Sequence, residues 1–194
     1  LLPELLYSKN KKVCNYKIPA CMCNFYTTDM IRNNKWRFVS ESDFISEDLY
    51  SILDLYQYVD SVIILNEALY NYRHGHESLS TGSRIANYDL IRNFYVQLKE
   101  LCLKNSYSDN ILEIVCEPYL SFSIACMKSI MKEKNYKLKK RKLYAIFDDE
   151  ELQKILKEKD YVYDTLKRKI LYKFITKKHL FLAYCVIKFQ ARKD

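Results

Sequence analysis

Apolar residues recur at helical spacing over most of the chain. Tyr88, Ile91, Tyr95, Leu98 and Cys102 fall on one helix face, and Ile111, Val115, Tyr119, Phe122 and Cys126 on another. Asn105-Ser106-Tyr107-Ser108 reads as the turn between them. Upstream, residues 26 to 34 predict a short helix with Arg32-Asn33-Asn34-Lys35 as its polar end. Ser46 stands at an N-cap position ahead of the stripe Leu49, Ile52, Leu53 and Tyr56. The period changes at Val62-Ile63-Ile64-Leu65, a buried-strand pattern, and at Leu69-Tyr70-Asn71-Tyr72, which alternates like a second strand. The basic run 137 to 142 reads as a junction between two short helices. The second of these opens at Asp148-Asp149-Glu150-Glu151, acids that suit a helix N-terminus. Residues 163 to 192 mix bulky apolar side chains with lysines. The expected fold is mainly α with a small β element near residues 60 to 73, divided into residues 1–82 and a helical C-terminal domain, 83–194.

Composition narrows the class. With two glycines and three prolines in 194 residues the chain lacks the turn residues of an all-β sandwich. Its 49% hydrophobic content, with 18 tyrosines and 9 phenylalanines, suits a packed core rather than a disordered segment. No apolar run approaches the ~18 residues that a membrane span requires. The sequence opens Leu1-Leu2-Pro3 without a visible signal peptide, and the expectation is a chain that starts inside a longer protein. Seven cysteines without framework spacing point to a reducing cytoplasm. Cys14, Cys21 and Cys23 with His74 and His76 match no zinc spacing, and buried thiols are the simpler reading.

Charge separates the two ends of the chain. From Met127 onward there are 20 Lys or Arg against 9 Asp or Glu, a net of +11, which leaves −3 of the total +8 for the first 126 residues. Three meanings of the basic tail stand open. Scattered lysines suit a solvated helical face. Tyr172, Phe174, Ile175, Leu180, Phe181, Tyr184, Val186, Ile187 and Phe189 beside Lys169, Lys173, Lys177, Lys178 and Lys188 suit an interfacial helix drawn to an anionic membrane surface. Nucleic-acid binding has the least support, because no nucleic-acid module is present.

Candidate chemistry is concentrated in three neighbouring stretches: Phe44-Ile45-Ser46-Glu47-Asp48-Leu49, then residues 62 to 73 ending Leu69-Tyr70-Asn71-Tyr72-Arg73, then His74-Gly75-His76-Glu77-Ser78-Leu79-Ser80. Arg73, His74, His76, Ser78 and Ser80 can all donate hydrogen bonds to an anion, the arginine through two parallel bonds. Acidic residues such as Glu47 and Asp48 are also what the first turn of any helix favours, by ~0.3–1 kcal/mol. Trp36, the single tryptophan, has two readings: a ring that stacks on a sugar, or a packing residue at the edge of a loop.

The ordered set Ile-Arg-Asn-Asn, Ser-Glu-Asp-Leu, Leu-Tyr-Asn-Tyr-Arg and Ser-Leu-Ser resembles the C-terminal part of bacterial family 2 glycosyltransferases of the GT-A type, over residues 19 to 80. The resemblance implies an inverting transfer of a sugar from a nucleotide-sugar donor to a polysaccharide, cell-wall or lipid-linked acceptor. Asp48 would be the general base toward the acceptor hydroxyl, and Glu47 would orient the acceptor. Arg73, His76 and Ser78 would close on the donor diphosphate. The family's Asp-x-Asp motif and its nucleotide-binding α/β half have no counterpart here. The resemblance therefore implies a fragment, inactive by itself, whose Mg²⁺ or Mn²⁺ is held mainly by residues outside it. A Gln/Arg-x-x-Arg-Trp pattern is also missing, which favours transfer of a single sugar. The implied location is cytoplasmic, or the inner face of the membrane if the tail acts on lipid. The alternative is a non-catalytic helical module for interaction or membrane-surface anchoring.

Overall fold

A computed structural model describes residues 24–40, 43–63, 65, 67–71, 83–107, 109–158 and 165–191. These residues are predominantly helical, and no strand occurs among them. The chain divides into two compact units, one of Leu1–Gly82 and Arg92–Val115, the other of Ser83–Ile91 and Cys116–Asp194.

The first unit holds α1 (Thr28–Asn33), α2 (Glu47–Leu55) with a 3₁₀ turn over Tyr56–Tyr58, and most of α3 (Tyr88–Lys104). Its buried side chains fall mostly on the faces the helical spacing selects, although Leu49 and Tyr56 of that spacing are only half-buried. Ile52, Leu53 and Leu55 of α2 and Phe94, Tyr95, Leu98, Leu101 and Cys102 of α3 are each 5% exposed or less. Ser51 is buried among them, and its hydroxyl accepts the Val39 N–H at 3.1 Å, which fastens the segment after α1 to α2. Tyr107 donates to the Leu53 carbonyl at 2.7 Å and so satisfies one of the last carbonyls of α2, which have no partner within the helix. Trp36 is 5% exposed and lies between Tyr26 and Phe38, with ring centroids 6.1 and 4.6 Å away. Of its two readings, the structure supports the packing residue.

The second unit is built from most of α4 (Asp109–Met131), α5 (Tyr136–Phe147), α6 (Glu150–Glu158), α7 (Leu166–Thr176) and α8 (Leu180–Ala191). Its core includes Tyr119, Leu120, Met127, Ile146, Phe147, Leu152, Leu171, Ile175 and Ile187. Two polar side chains inside it tie helices together. The buried Gln153 amide donates to the carbonyls of Phe147 at 2.7 Å and Ile175 at 3.1 Å, joining the ends of α5 and α7. Arg168, in the first turn of α7, reaches the Ser121 hydroxyl at 3.1 Å and the Glu117 carboxylate at 3.8 Å on α4.

Three helices end in the same motif. After α1, Trp36 N–H bonds to Ile31 and Lys35 N–H to Arg32. After α3, Tyr107 bonds to Cys102 and Ser106 to Leu103. After α7, His179 bonds to Phe174 and Lys178 to Ile175. This nested pair defines a Schellman cap, whose middle residue takes a left-handed backbone and is usually glycine. Here Lys35, Ser106 and Lys178 occupy it, with φ of 50°, 51° and 53°. These three helices close on residues that carry a Cβ.

Several expectations change. The strands expected at residues 62 to 65 and 69 to 72 do not form among the described residues there; Ile64, Asn66 and Tyr72 lie outside them. Ile63 is 85% exposed, Leu65 and Leu69 56% and Tyr70 49%. A strand of this apolar composition is stable when paired and covered on at least one face, and these side chains have no such cover. The basic run 137 to 142 is not a junction but the body of α5. Asn135 caps that helix by accepting the Leu138 N–H at 3.1 Å, while Leu143, Ile146 and Phe147 bury its inner side. Lysine and arginine are good helix formers, and such a run needs only an apolar face to fold on. The described part of the tail, residues 165–191, is two helices, α7 and α8, joined by a turn that Lys178 closes. Cys102 and Cys126 are buried, in keeping with their place in the helical pattern, whereas Cys116 is half-buried and Cys185 exposed; Cys14, Cys21 and Cys23 lie outside the described residues.

Candidate functional site

Helix α2 starts at Glu47 because Ser46 leaves the helical conformation, with φ −148° and ψ 71°. Ser46 occupies the N-cap position, but its side chain caps no backbone N–H. Its hydroxyl instead donates to Asp48 Oδ1 at 3.5 Å, and the first helical bond runs from Tyr50 N–H to the Ser46 carbonyl. Both acids are half-buried. Helical spacing assigns them to different faces. Asp48 stands in line with Ser51, Ile52 and Leu55, all buried, whereas Glu47 shares its face with Tyr50 and Asp54.

That second face borders an open groove of about 530 Å³ within the first unit. Tyr50 and Asp54 line it from α2, and Asn93, Val96, Gln97, Glu100, Leu101 and Lys104 from α3. Two carboxylates, two amides, one ammonium group and one phenol therefore converge over a floor of Val96 and Leu101. Asp54 is held in place by Gln57, whose amide donates to its Oδ1 at 2.9 Å and to its carbonyl at 2.7 Å. The Tyr50 ring packs on Phe44 at 4.5 Å. Burial raises the Tyr50 phenol above its ordinary pKa, and the nearby Asp54 and Glu100 carboxylates add to this, so the hydroxyl remains a donor at neutral pH.

Arg73, His76 and Ser78 lie outside the described residues, so the structure does not join them to Asp48 or separate them from it. Among the described residues no cluster of three or more His, Cys, Asp or Glu side chains could hold a metal ion. No helix among them is long and apolar enough to cross a membrane.

The polar residues of α3 were passed over in the sequence, although their signal is present. Asn93, Gln97, Glu100 and Lys104 recur at spacings of four, three and four and form a strip beside the apolar stripe. The same strip is what a solvated helix face looks like, and only the approach of α2 turns it into the wall of a groove.

A second polar cluster lies inside the second unit. The Tyr119 hydroxyl donates to Asp149 Oδ1 at 3.0 Å and stands 2.7 Å from the Tyr88 hydroxyl. Since Tyr119 has one proton to give, Tyr88 is the donor of that pair. Asp149 Oδ1 also accepts the Leu152 N–H at 2.8 Å, which makes it the cap of α6. Burial drives both phenols well above their ordinary range, and the Asp149 carboxylate pushes each further. Tyr119 is fully buried. The cluster fastens three helix segments together.

No family model, curated protein or solved structure matches the chain.

Proposed function

We propose that this chain is the acceptor-side segment of an inverting glycosyltransferase and that the groove between α2 and α3 receives the acceptor sugar. The observation that carries the reading is the groove's lining on the same helix that begins Glu47-Asp48. Asp54, Glu100, Asn93 and Gln97 offer planar acceptors and donors for neighbouring hydroxyl groups, and the Tyr50 hydroxyl adds a further donor beside them. In this reading Glu47, one turn before Tyr50, orients the acceptor, and Asp48 takes its proton from the N-terminal end of α2, outside the residues that line the groove. Arg73, His76 and Ser78 meet the donor diphosphate, and a nucleotide-binding half outside these residues holds Mg²⁺ or Mn²⁺.

The test is release of nucleoside diphosphate from a panel of sugar nucleotides by the protein carrying its donor-binding half, with Asp48→Asn as the comparison. A general base contributes on the order of 10²–10⁴ in rate, and Asp48→Asn is expected to lower turnover by that factor with the fold intact. Turnover unchanged by the substitution sinks the assignment of the base. A second reading, a non-catalytic helical module, is favoured by the helical character of the described residues. The same assay separates the two, since that module releases no diphosphate from any donor.

A further inference from the structure

Helix α8 is apolar nearly all the way round, yet it buries one side only. Ala183 and Ile187 are fully buried, while Phe181 is 77% exposed, Phe189 58% and Leu182 43%, with Cys185 exposed among them. At 100° per residue Phe181, Cys185, Phe189 and Leu182 occupy one continuous arc, and Lys188 stands at its edge, its ammonium 6.0 Å from the centre of the Tyr184 ring. Helix α7 repeats the pattern. Leu171, Tyr172 and Ile175 are buried, and the exposed arc carries Leu166 at 73% and Ile170 at 38% beside Lys173 and Lys177.

Charge identifies what such a surface meets. Residues 165 to 191 contain six lysines and one arginine and no aspartate or glutamate. Arg168 meets Glu117 and Lys178 meets Asp148, but Lys173, Lys177 and Lys188 stand exposed beside the apolar arcs. A surface that combines exposed phenylalanine and leucine with such an excess of cations is complementary to one that is apolar below and anionic above. We propose that the outer face of α8, flanked by the lysines of the α7–α8 hairpin, docks on an anionic lipid bilayer, with Phe181, Leu182 and Phe189 entering the acyl boundary. The twelve residues of α8 rise about 18 Å, short of the ~30 Å hydrocarbon thickness, so the helix lies in the interface instead of spanning it. Nucleic acid answers the charge but leaves Leu182 and Cys185 without a counterpart. A second copy of the chain would bring lysine against lysine.

The experiment is co-sedimentation of the whole chain with vesicles of phosphatidylcholine alone and with about a third phosphatidylglycerol, comparing wild type, Phe181→Ala and the pair Lys177→Gln, Lys188→Gln. Phe181 projects into solvent, so its removal leaves the core untouched, and circular dichroism checks that the helices remain. The expected result is binding to the anionic vesicles, weaker by about tenfold or more on neutral ones, and weakened by a comparable factor by either variant. Absence of vesicle binding overturns the proposal. So does binding that the lysine pair weakens and Phe181→Ala leaves unchanged, because a purely electrostatic attraction does not use the apolar arc. Vesicle binding abolished by competing duplex DNA, or self-association through Phe181 in its place, assigns the face to those partners and also overturns it.

Discussion

Replacing Tyr119 by Phe deletes one oxygen from the interior of the second unit and leaves the ring in place. That oxygen donates to Asp149 at 3.0 Å and accepts from Tyr88 at 2.7 Å. A hydrogen bond to a carboxylate contributes about 1.5–3 kcal/mol, and a buried hydroxyl left without its acceptor costs about 1–3 kcal/mol. Asp149 keeps the Leu152 N–H, and Tyr88 can turn toward the carboxylate, which recovers part of the loss. The expected destabilisation is therefore about 2–4 kcal/mol, measured by urea unfolding followed through far-ultraviolet circular dichroism. Tyr88→Phe removes only the outer bond of the chain and should lose about 1 kcal/mol. Because the Tyr88 hydroxyl bonds the Tyr119 oxygen in the fold and turns toward Asp149 when that oxygen is gone, the two losses should not add, with a coupling of about 1 kcal/mol in the double variant. Strictly additive losses, or a Tyr119→Phe variant within about 0.5 kcal/mol of wild type, would refute the view that these three side chains form one connected relay.

The same pair sets a response to alkali. Both phenols stay protonated in the fold but ionise near the ordinary 10.0 when the chain unfolds. The contribution of these two phenols is thus intact below pH 10 and falls as the pH rises beyond it, by ~1.4 kcal/mol per pH unit for each residue. The Cys126 thiol, pushed by burial from 9.0 up to about 12, adds a loss of the same sign that begins near pH 9. Unfolding curves taken between pH 8 and 11 should show this decline, and Tyr88→Phe should make it shallower; a flat profile would contradict the burial of these groups. At Ser106, exposed and left-handed at φ 51°, glycine relieves a strain of about 1 kcal/mol, and Ser106→Gly should raise the thermal midpoint by a few degrees. An equal or lower midpoint would mean that the cap does not strain its serine.

Much of the helical architecture was written in local periodicity. The stripes from Tyr88 to Cys102 and from Ile111 to Cys126 are long, and a repeat of 3.6 leaves little choice of conformation once one face is apolar. The turn at Asn105-Ser106 was equally local. The strand pattern at 62 to 65 failed because four apolar residues in a row do not bring their own partner. A ladder is made by a second segment, and the described residues near this one offer none. The helix from Tyr136 to Phe147 was hidden by its charge: a run of lysines marks solvent, not the absence of structure.

The candidate site divides in the same way. Glu47 and Asp48 are visible as an acidic pair at a helix start, and the strip Asn93, Gln97, Glu100 and Lys104 is visible as a polar face. That Glu47 shares the face of Tyr50 and Asp54 follows from spacing alone. That this face borders a groove with α3 does not, because contact between helices some forty residues apart depends on how their apolar sides pack together. The sequence likewise determined that residues 165 to 191 carry six lysines and one arginine and no acid of their own. Only the tertiary structure decided that Ala183 and Ile187 turn inward and Phe181 and Phe189 outward. On a helix apolar all round, periodicity cannot choose a side, and packing in the folded unit makes the choice.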